Sequence, residues 1–191
     1  MNSLKKIKEW LNTFTSFNEQ EQVDCQHIRQ FLEEEPNLLL RDNVKMHFTA
    51  SAWVLNPSKD KVLMLYHNIY QSWSWSGGHA DGEGDLLSVA MKEVKEESGL
   101  VSLKPLSDSP ISIEILGVQP HYKKQKYVSA HLHLNYTFLL HNTKEEKLKI
   151  CPEENSKVGW LSPDEAVRSS TEAWMKPIYK KLNQKMRKYL G

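Results

Sequence analysis

Apolar residues in the opening stretch recur every three or four positions. Leu4, Ile7, Leu11 and Phe14 form a stripe that Trp10 and Phe17 widen, the pattern of an amphipathic helix. Val23, His27, Ile28, Phe31 and Leu32 repeat the pattern, and Pro36 ends it because the residue before a proline is pushed out of helical geometry. Residues 1–42 are therefore predicted to be a helical extension, and residues 43–191 the main domain. From His47 the period falls to two. "HFTASAWVL" and "KVLMLY" read as strands joined by the turn "NPSKD", and "SWSWS" alternates until the pair Gly77–Gly78, which is expected to end that strand. Residues 85–98 return to helical spacing, with Leu86, Leu87, Ala90, Met91 and Val94 facing inward and Gly99 as the stop. "ISIEILGV" is a further strand. In "YVSAHLHLNYTFLL" one face carries Val128, Ala130, Leu132, Leu134, Tyr136, Phe138 and Leu140, and the other Ser129, His131, His133, Asn135 and Thr137. "KVGWL" is a short strand, "SPDEAVRSS" opens a helix at its Ser-Pro start, and residues 171–189 form another helix. Strands and helices mix without a regular βαβ repeat, which predicts an α+β layered domain.

Composition narrows the function classes. A formal net charge of +1 over 191 residues gives no electrostatic footprint for a nucleic-acid polymer or a membrane surface. No apolar run approaches the length of about 18 residues that a membrane span needs. The first residues carry lysines but no continuous apolar core and no small-residue cleavage site, so no export signal is expected and a cytoplasmic location is. Cys25 and Cys151 stand far apart, and neither forms a CxxC pair, so no disulfide framework or cysteine zinc site is expected.

The helix at 85–98 poses a chemical question. Glu93 precedes Glu96 by three residues and Glu97 by four, so all three side chains leave one side of the helix. Like charges at that spacing repel unless a cation compensates them. Three carboxylates on a rigid element suit a hard divalent cation, and Gly77–Gly78 upstream lets the backbone come close enough to add a carbonyl ligand. Loop, helix and acid cluster in this order point to metal-assisted chemistry on a phosphate ester or anhydride.

The stretch "GHADGEGDLLSVAMKEVKEESGL" resembles the Nudix box of the Nudix hydrolases. Gly78, Glu93, Val94, Glu96, Glu97, Gly99 and Leu100 match at the family's spacings, and the later "VGWLSPDEA" is similar to the segment that follows the family's last strand, so the resemblance spans residues 47 to about 168. It implies an α/β/α sandwich with a mixed sheet and hydrolysis of the diphosphate bond of a nucleoside diphosphate derivative by metal-activated water. It also implies Mg²⁺ or Mn²⁺ held by Glu93, Glu96 and Glu97 with the carbonyl of Gly78, these glutamates being the catalytic set; Glu93 is either ligand or base. Family members often draw another ligand or base from a loop before the last strand, where Glu153 and Glu154 stand, and Glu154 is taken as the candidate.

Two positions depart from the box: Lys92 stands for its arginine and Gly84 for its first glutamate, with Glu83 or Asp85 as possible substitutes. Lysine keeps the charge but loses the planar fork that grips a carboxylate with two bonds. These departures favour an alternative reading, a Nudix-fold module that senses a nucleotide or partner with weak or no catalysis. His131, His133 and Trp75 are the candidate substrate contacts; surface hydrogen bonding for the histidines and core packing for the tryptophan are the plainer alternatives. Lys123, Lys124 and Lys126 in "HYKKQKY" read as a solvated hairpin tip. Family relatives often pair, so the apolar residues of 1–42 are expected to cover either the chain's own sandwich or a second subunit in a homodimer. The expected partner in the site is a small phosphate compound.

Overall fold

The computed structural model describes residues 4–123 and 125–191, so Lys124 of the hairpin lies outside the described residues. Two helices come first, α1 (Lys5–Thr13) and α2 (Glu19–Glu34). The side chain of Asn18 caps α2 by accepting the backbone N–H of Glu21 at 3.0 Å. Strand β1 (Met46–Leu55) follows, then β2 (Val62–His67), β3 (Ser72–Ser74) and β4 (Ser76–His79). Helix α3 (Leu86–Ser98) starts at the cap Asp85 and stops at Gly99, whose φ of 75° is left-handed and suits a residue without a side chain. The second half holds β5 (Leu103–Pro105), β6 (Ser112–Val118), the hairpin β7 (His121–Lys123) and β8 (Lys126–Val128), then β9 (His131–Asn142) and β10 (Asn155–Leu161). Helix α4 (Pro163–Ser169) opens with a capping box between Ser162 and Glu165, and α5 (Met175–Leu190) follows.

Among the described residues, one eight-stranded sheet runs in the order β10-β2-β1-β9-β5, with β3 on β2, β4 on β1 and β6 on β9. The β1–β9 pair is parallel and the others are antiparallel, which makes the sheet mixed. Alternation along β1 divides the core. Phe48, Ala50, Ala52 and Val54 face Leu86, Ala90 and Val94 of α3 and Ile7, Leu11 and Ile28 of α1 and α2. Trp53 and Leu55 face Ala166 of α4 and Tyr179, Leu182 and Met186 of α5. Helices thus cover both faces of a mixed sheet, the expected α/β/α sandwich.

Two strand boundaries and one helix start differ from the sequence reading. "SWSWS" is two strands, and β4 runs through Gly77 and Gly78 instead of ending there, because both pair with β1 (Ser51 and Ala50). "YVSAHLHLNYTFLL" breaks after Val128, so Val128 and Ala130 do not belong to the inward face of β9. The last helix begins at Met175, four residues later than the predicted 171.

The apolar stripe of the first two helices is used within the chain. Trp10 packs edge-on against Phe138 with ring centres 5.3 Å apart, and its indole N–H donates to the carbonyl of Asp108 at 3.0 Å. Phe14 and Phe31 lean on the same core, whereas Phe17 stays exposed beneath the ammonium of Lys185. Burial of side chains such as Ile7, Leu11 and Ile28 is worth roughly 1.5–3 kcal/mol each. Among the described residues no helix is long and apolar enough to cross a membrane.

Candidate metal and active site

Gly78 pairs with Ala50 and so faces α3. A methyl group there would lie 2.3 Å from the carboxyl carbon of Glu93 and 2.6–2.7 Å from its oxygens, so only glycine lets the strand approach the acid this closely. One alternation upstream, Ser76 faces the same way and its hydroxyl donates to Glu97 Oε2. Helix and strand together hold Glu93 and Glu97 against the end of β4.

Glu154 joins them from the loop before β10. Its carboxyl comes near enough to those of Glu97 and Glu93 to push both upward. Asn155 fastens this loop to the helix: its amide donates to the carbonyl of Glu97 at 3.0 Å, and its side-chain oxygen accepts from the backbone of Cys151 at 3.2 Å. Glu96 stands apart, with a side chain 56% exposed and paired to Lys92 at 3.6 Å. Lys92 reaches Glu93 more loosely, at 3.9 Å. The structure therefore groups Glu93, Glu97, Glu154 and Gly78, and sets Glu96 at the solvent rim.

The electrostatics follow from that grouping. Burial pushes the Glu97 carboxyl up to about 8; the Ser76 hydroxyl opposes the rise, and the neighbouring Glu154 and Glu93 add to it. Burial likewise raises Glu93, against the pull of Lys92 and with the help of Glu96, Glu154 and Asp81. Glu97 is only 5% exposed, yet it accepts from a serine and its charged neighbours Glu154 and Glu93 are acids. A set of oxygen donors with surplus negative charge, beside a cradle that a Cβ would fill, fits a hard divalent cation.

Neither candidate for the missing acid stands against Lys92. Asp85 caps α3 by accepting from Ser88 N at 3.4 Å and pairs with Lys6 at 2.7 Å. Glu83 accepts the backbone N–H of Asp85 at 2.7 Å.

The three candidate substrate contacts part company. Trp75 packs edge-on against Tyr179, ring centres 5.5 Å apart, among the apolar residues under α5. His131 and His133 lie on the face of the sheet opposite α3, with their Nε2 atoms 3.1 Å apart. There they meet His47 and His79, because the register sets His47 beside His133 and His79 beside Thr49. Sequence reasoning missed His47, His79, Ser76 and Asn155. Strand parity carries a signal for the first two, but only once the β1–β4 and β1–β9 pairings are known.

The match to known proteins agrees with this geometry. The NUDIX domain family matches residues 45–182, and the chain belongs to the Nudix family of pyrophosphohydrolases, enzymes that act on acid anhydrides. Among solved structures it is similar to a C. elegans Ap4A hydrolase in a binary complex, with 18% identity, TM-score 0.54, and 72% of this chain and 95% of the other covered. It is also similar to the E. coli dihydroneopterin triphosphate pyrophosphohydrolase, with 16% identity, TM-score 0.52 and coverage of 70% and 92%. A Nudix hydrolase from M. smegmatis, RenU, aligns with 13% identity, TM-score 0.52 and coverage of 72% and 84%. A search of curated proteins by sequence finds no match.

Proposed function

We propose that the chain hydrolyses the diphosphate linkage of a nucleoside diphosphate derivative with Mg²⁺ (or Mn²⁺) as cofactor, with residues 43–191 as the catalytic domain and 1–42 as its helical cover. The observation that carries this reading is Glu97: a buried carboxyl that the fold holds beside Glu93, Glu154 and the bare backbone of Gly78, with no cation paired to it among the described residues. Buried structural acids are normally matched by a cation, so one left without it on the helix beside β4 supports a role in chemistry.

Glu93, Glu97 and Glu154 would hold the cation with the Gly78 carbonyl, and Glu96 would meet the outer part of the shell from the rim. When bound, the cation supplies Lewis-acid polarisation of the diphosphate oxygens. Ser76 fixes the Glu97 carboxyl in orientation through its hydroxyl, and Asn155 keeps Glu154 in reach by tying its loop to α3. Burial and the neighbouring acids favour the protonated form of Glu97, so a cation in the site would displace a proton from it. Glu93 is either a ligand or the acceptor of the proton from the attacking water.

Two structural neighbours bear names of enzymes that act on a dinucleoside polyphosphate and on a pterin triphosphate. Their shared chemistry, an anhydride bond next to a heterocycle-bearing group, is the class proposed here. The sensing-module alternative draws on Lys92, which is spent on Glu96 and Glu93 and holds no acid of the preceding loop. A phosphate-release screen over nucleoside triphosphates, dinucleoside polyphosphates and nucleotide sugars with Mg²⁺ separates the two. Turnover that Glu97→Gln lowers by at least ~10²-fold supports hydrolysis at this site. Saturable nucleotide binding without turnover favours the sensing module, and turnover unchanged in Glu97→Gln sinks the catalytic assignment.

A further inference from the structure

The opposite face of the same strand ends carries a second cluster of donors, of another chemical kind. Along β1 and β9 that face grades from apolar (Trp53, Leu139) through polar (Ser51, Thr49, Thr137, Asn135) to imidazole (His47, His133). His79 enters from β4 and His131 from the start of β9. Ring centres of His47 lie 5.1, 5.0 and 5.0 Å from those of His79, His131 and His133, and His133 lies 5.0 Å from both His79 and His131. One ring nitrogen from each of His47, His79 and His133 falls within 4.8 Å of the others.

Two details show how these rings are oriented. His47 Nδ1 lies 3.1 Å from the carbonyl of Asn43, and His131 Nδ1 lies 2.9 Å from that of Ser129. A carbonyl can only accept, so Nδ1 carries the proton in both rings and Nε2 presents a lone pair. A backbone carbonyl on one ring nitrogen is the arrangement that orients a metal-binding histidine. His47 is 4% exposed, and its Nε2 is buried with no hydrogen-bond partner among the described residues. A buried lone pair with nothing to accept is rare and unfavourable unless something fills the place in front of it.

We propose that His47, His79 and His133 form a nitrogen-donor site for a borderline divalent cation of the Zn²⁺ and Co²⁺ class, separate from the carboxylate centre, with His131 as a fourth donor beside it. Three tetrahedral nitrogen ligands at ~2.0–2.1 Å from a metal sit about 3.4 Å from one another, so modest ring rotations would close the observed spread. The 3.1 Å separation of the His131 and His133 Nε2 atoms is already near that value. An anion is the weaker fit. It would need protonated rings, and imidazoles packed this closely around the buried His47 oppose being charged together. Hard cations such as Mg²⁺ prefer the oxygen donors on the other face, so one strand end would sort two metals by ligand chemistry.

Cobalt reports the difference directly. Co²⁺ held by three or four nitrogens in a four-coordinate site absorbs visible light far more strongly than Co²⁺ in six oxygens. The full chain is titrated with Co²⁺ in millimolar Mg²⁺, alongside Glu97→Gln, His79→Gln and His133→Gln, each checked for folding by circular dichroism. The expected result is one equivalent of strongly absorbing Co²⁺ in the parent and in Glu97→Gln. Affinity should fall at least ~10-fold in His79→Gln, whose partly exposed ring can be exchanged without opening the core, and in His133→Gln. Only weak, oxygen-type absorption in the parent overturns the proposal. So does an unchanged spectrum in a folded histidine variant, or loss of the strong band in Glu97→Gln. If both histidine variants fail to fold, the parent titration decides by the strength of its band.

Discussion

The protein buries carboxylates in two places and treats them in opposite ways. At the end of β4, Glu97, Glu93 and Glu154 crowd together with Lys92 loosely at their rim. Between α2, β6 and α5, Glu21 and Glu114 are fully buried, Lys181 is buried with them, and Lys185 is half-buried at their edge. Lys181 lies 3.2 Å from Glu21 and 3.0 Å from Glu114, Lys185 lies 2.6 Å from Glu21, and Ser112, Asn135 and Thr137 fill the remaining lone pairs. Burial alone would raise Glu21, but the two lysines and Ser112 outweigh it and hold the carboxyl below its ordinary value. Burial of an acid, then, does not fix its role. The acids that the chain neutralises itself join three elements, and those it leaves unneutralised are the ones proposed to hold a cation.

The largest test of this contrast is Lys181→Met. It leaves Glu114 without a cation and Glu21 with one, and should lower unfolding free energy by about 3–5 kcal/mol in urea titration. Adding Glu114→Gln should recover part of the loss; a cost below about 1 kcal/mol would erase the distinction between the two regions. Glu97→Gln should do the reverse, removing turnover while the metal-free protein is no less stable, since a neutral amide suits that pocket better than a charge. Loss of fold in Glu97→Gln would show that the acid is structural.

The pH dependence should also differ in sign. Glu97 titrates at about 8 in the folded chain against 4.5 for an ordinary glutamate, so its favourable contribution is whole below 4.5 and declines as pH rises toward 8. Glu21 is lowered, so its contribution is present above 4.5 and declines as pH falls through its folded value. From these two groups, the metal-free melting temperature should therefore peak near pH 4.5, where the two windows meet. Mg²⁺ should flatten the alkaline slope, because it stabilises the charged form of Glu97. An alkaline slope identical with and without Mg²⁺ would separate Glu97 from the cation.

The smallest expected effect concerns Gly84 and Lys92. Gly84→Glu with Lys92→Arg should raise activity more than the two single changes together, with a coupling of about 0.5 kcal/mol, since the new acid and the forked cation would form one network. Strict additivity would show that Lys92 is content with Glu96.

The carboxylate centre was largely legible in the sequence because it is local. Spacings of three and four on one helix bring Glu93, Glu96 and Glu97 to one side, and Gly99 marks the stop by its backbone alone. What spacing could not divide was Glu96 from the other two, for that depends on which flank of the helix meets β4. The polar face of β9 was visible as an alternation, but its burial was not: Asn135 is hidden because Thr49 and Ser51, more than eighty residues away, donate to it at 3.0 and 2.8 Å. The histidine cluster needs two strand pairings, and the Glu21–Lys181 pair joins positions with no pattern in common. The packing of Trp75 was illegible for the same reason, since only the position of Tyr179 reveals which face it fills.

The tie between α2 and α5 has a consequence for timing. Lys181 donates to Gln20 at 2.6 Å across 161 residues, and Lys185 to Glu21 across 164. Contacts this distant along the chain form late, after the intervening loop entropy has been overcome. On a ribosome, α2 emerges long before its lysines exist, and Glu21 waits in water as an ordinary surface acid. Its pairing with Lys181 and Lys185 can be completed only when α5 arrives, so the tie between α2 and α5 is among the last contacts the chain can make.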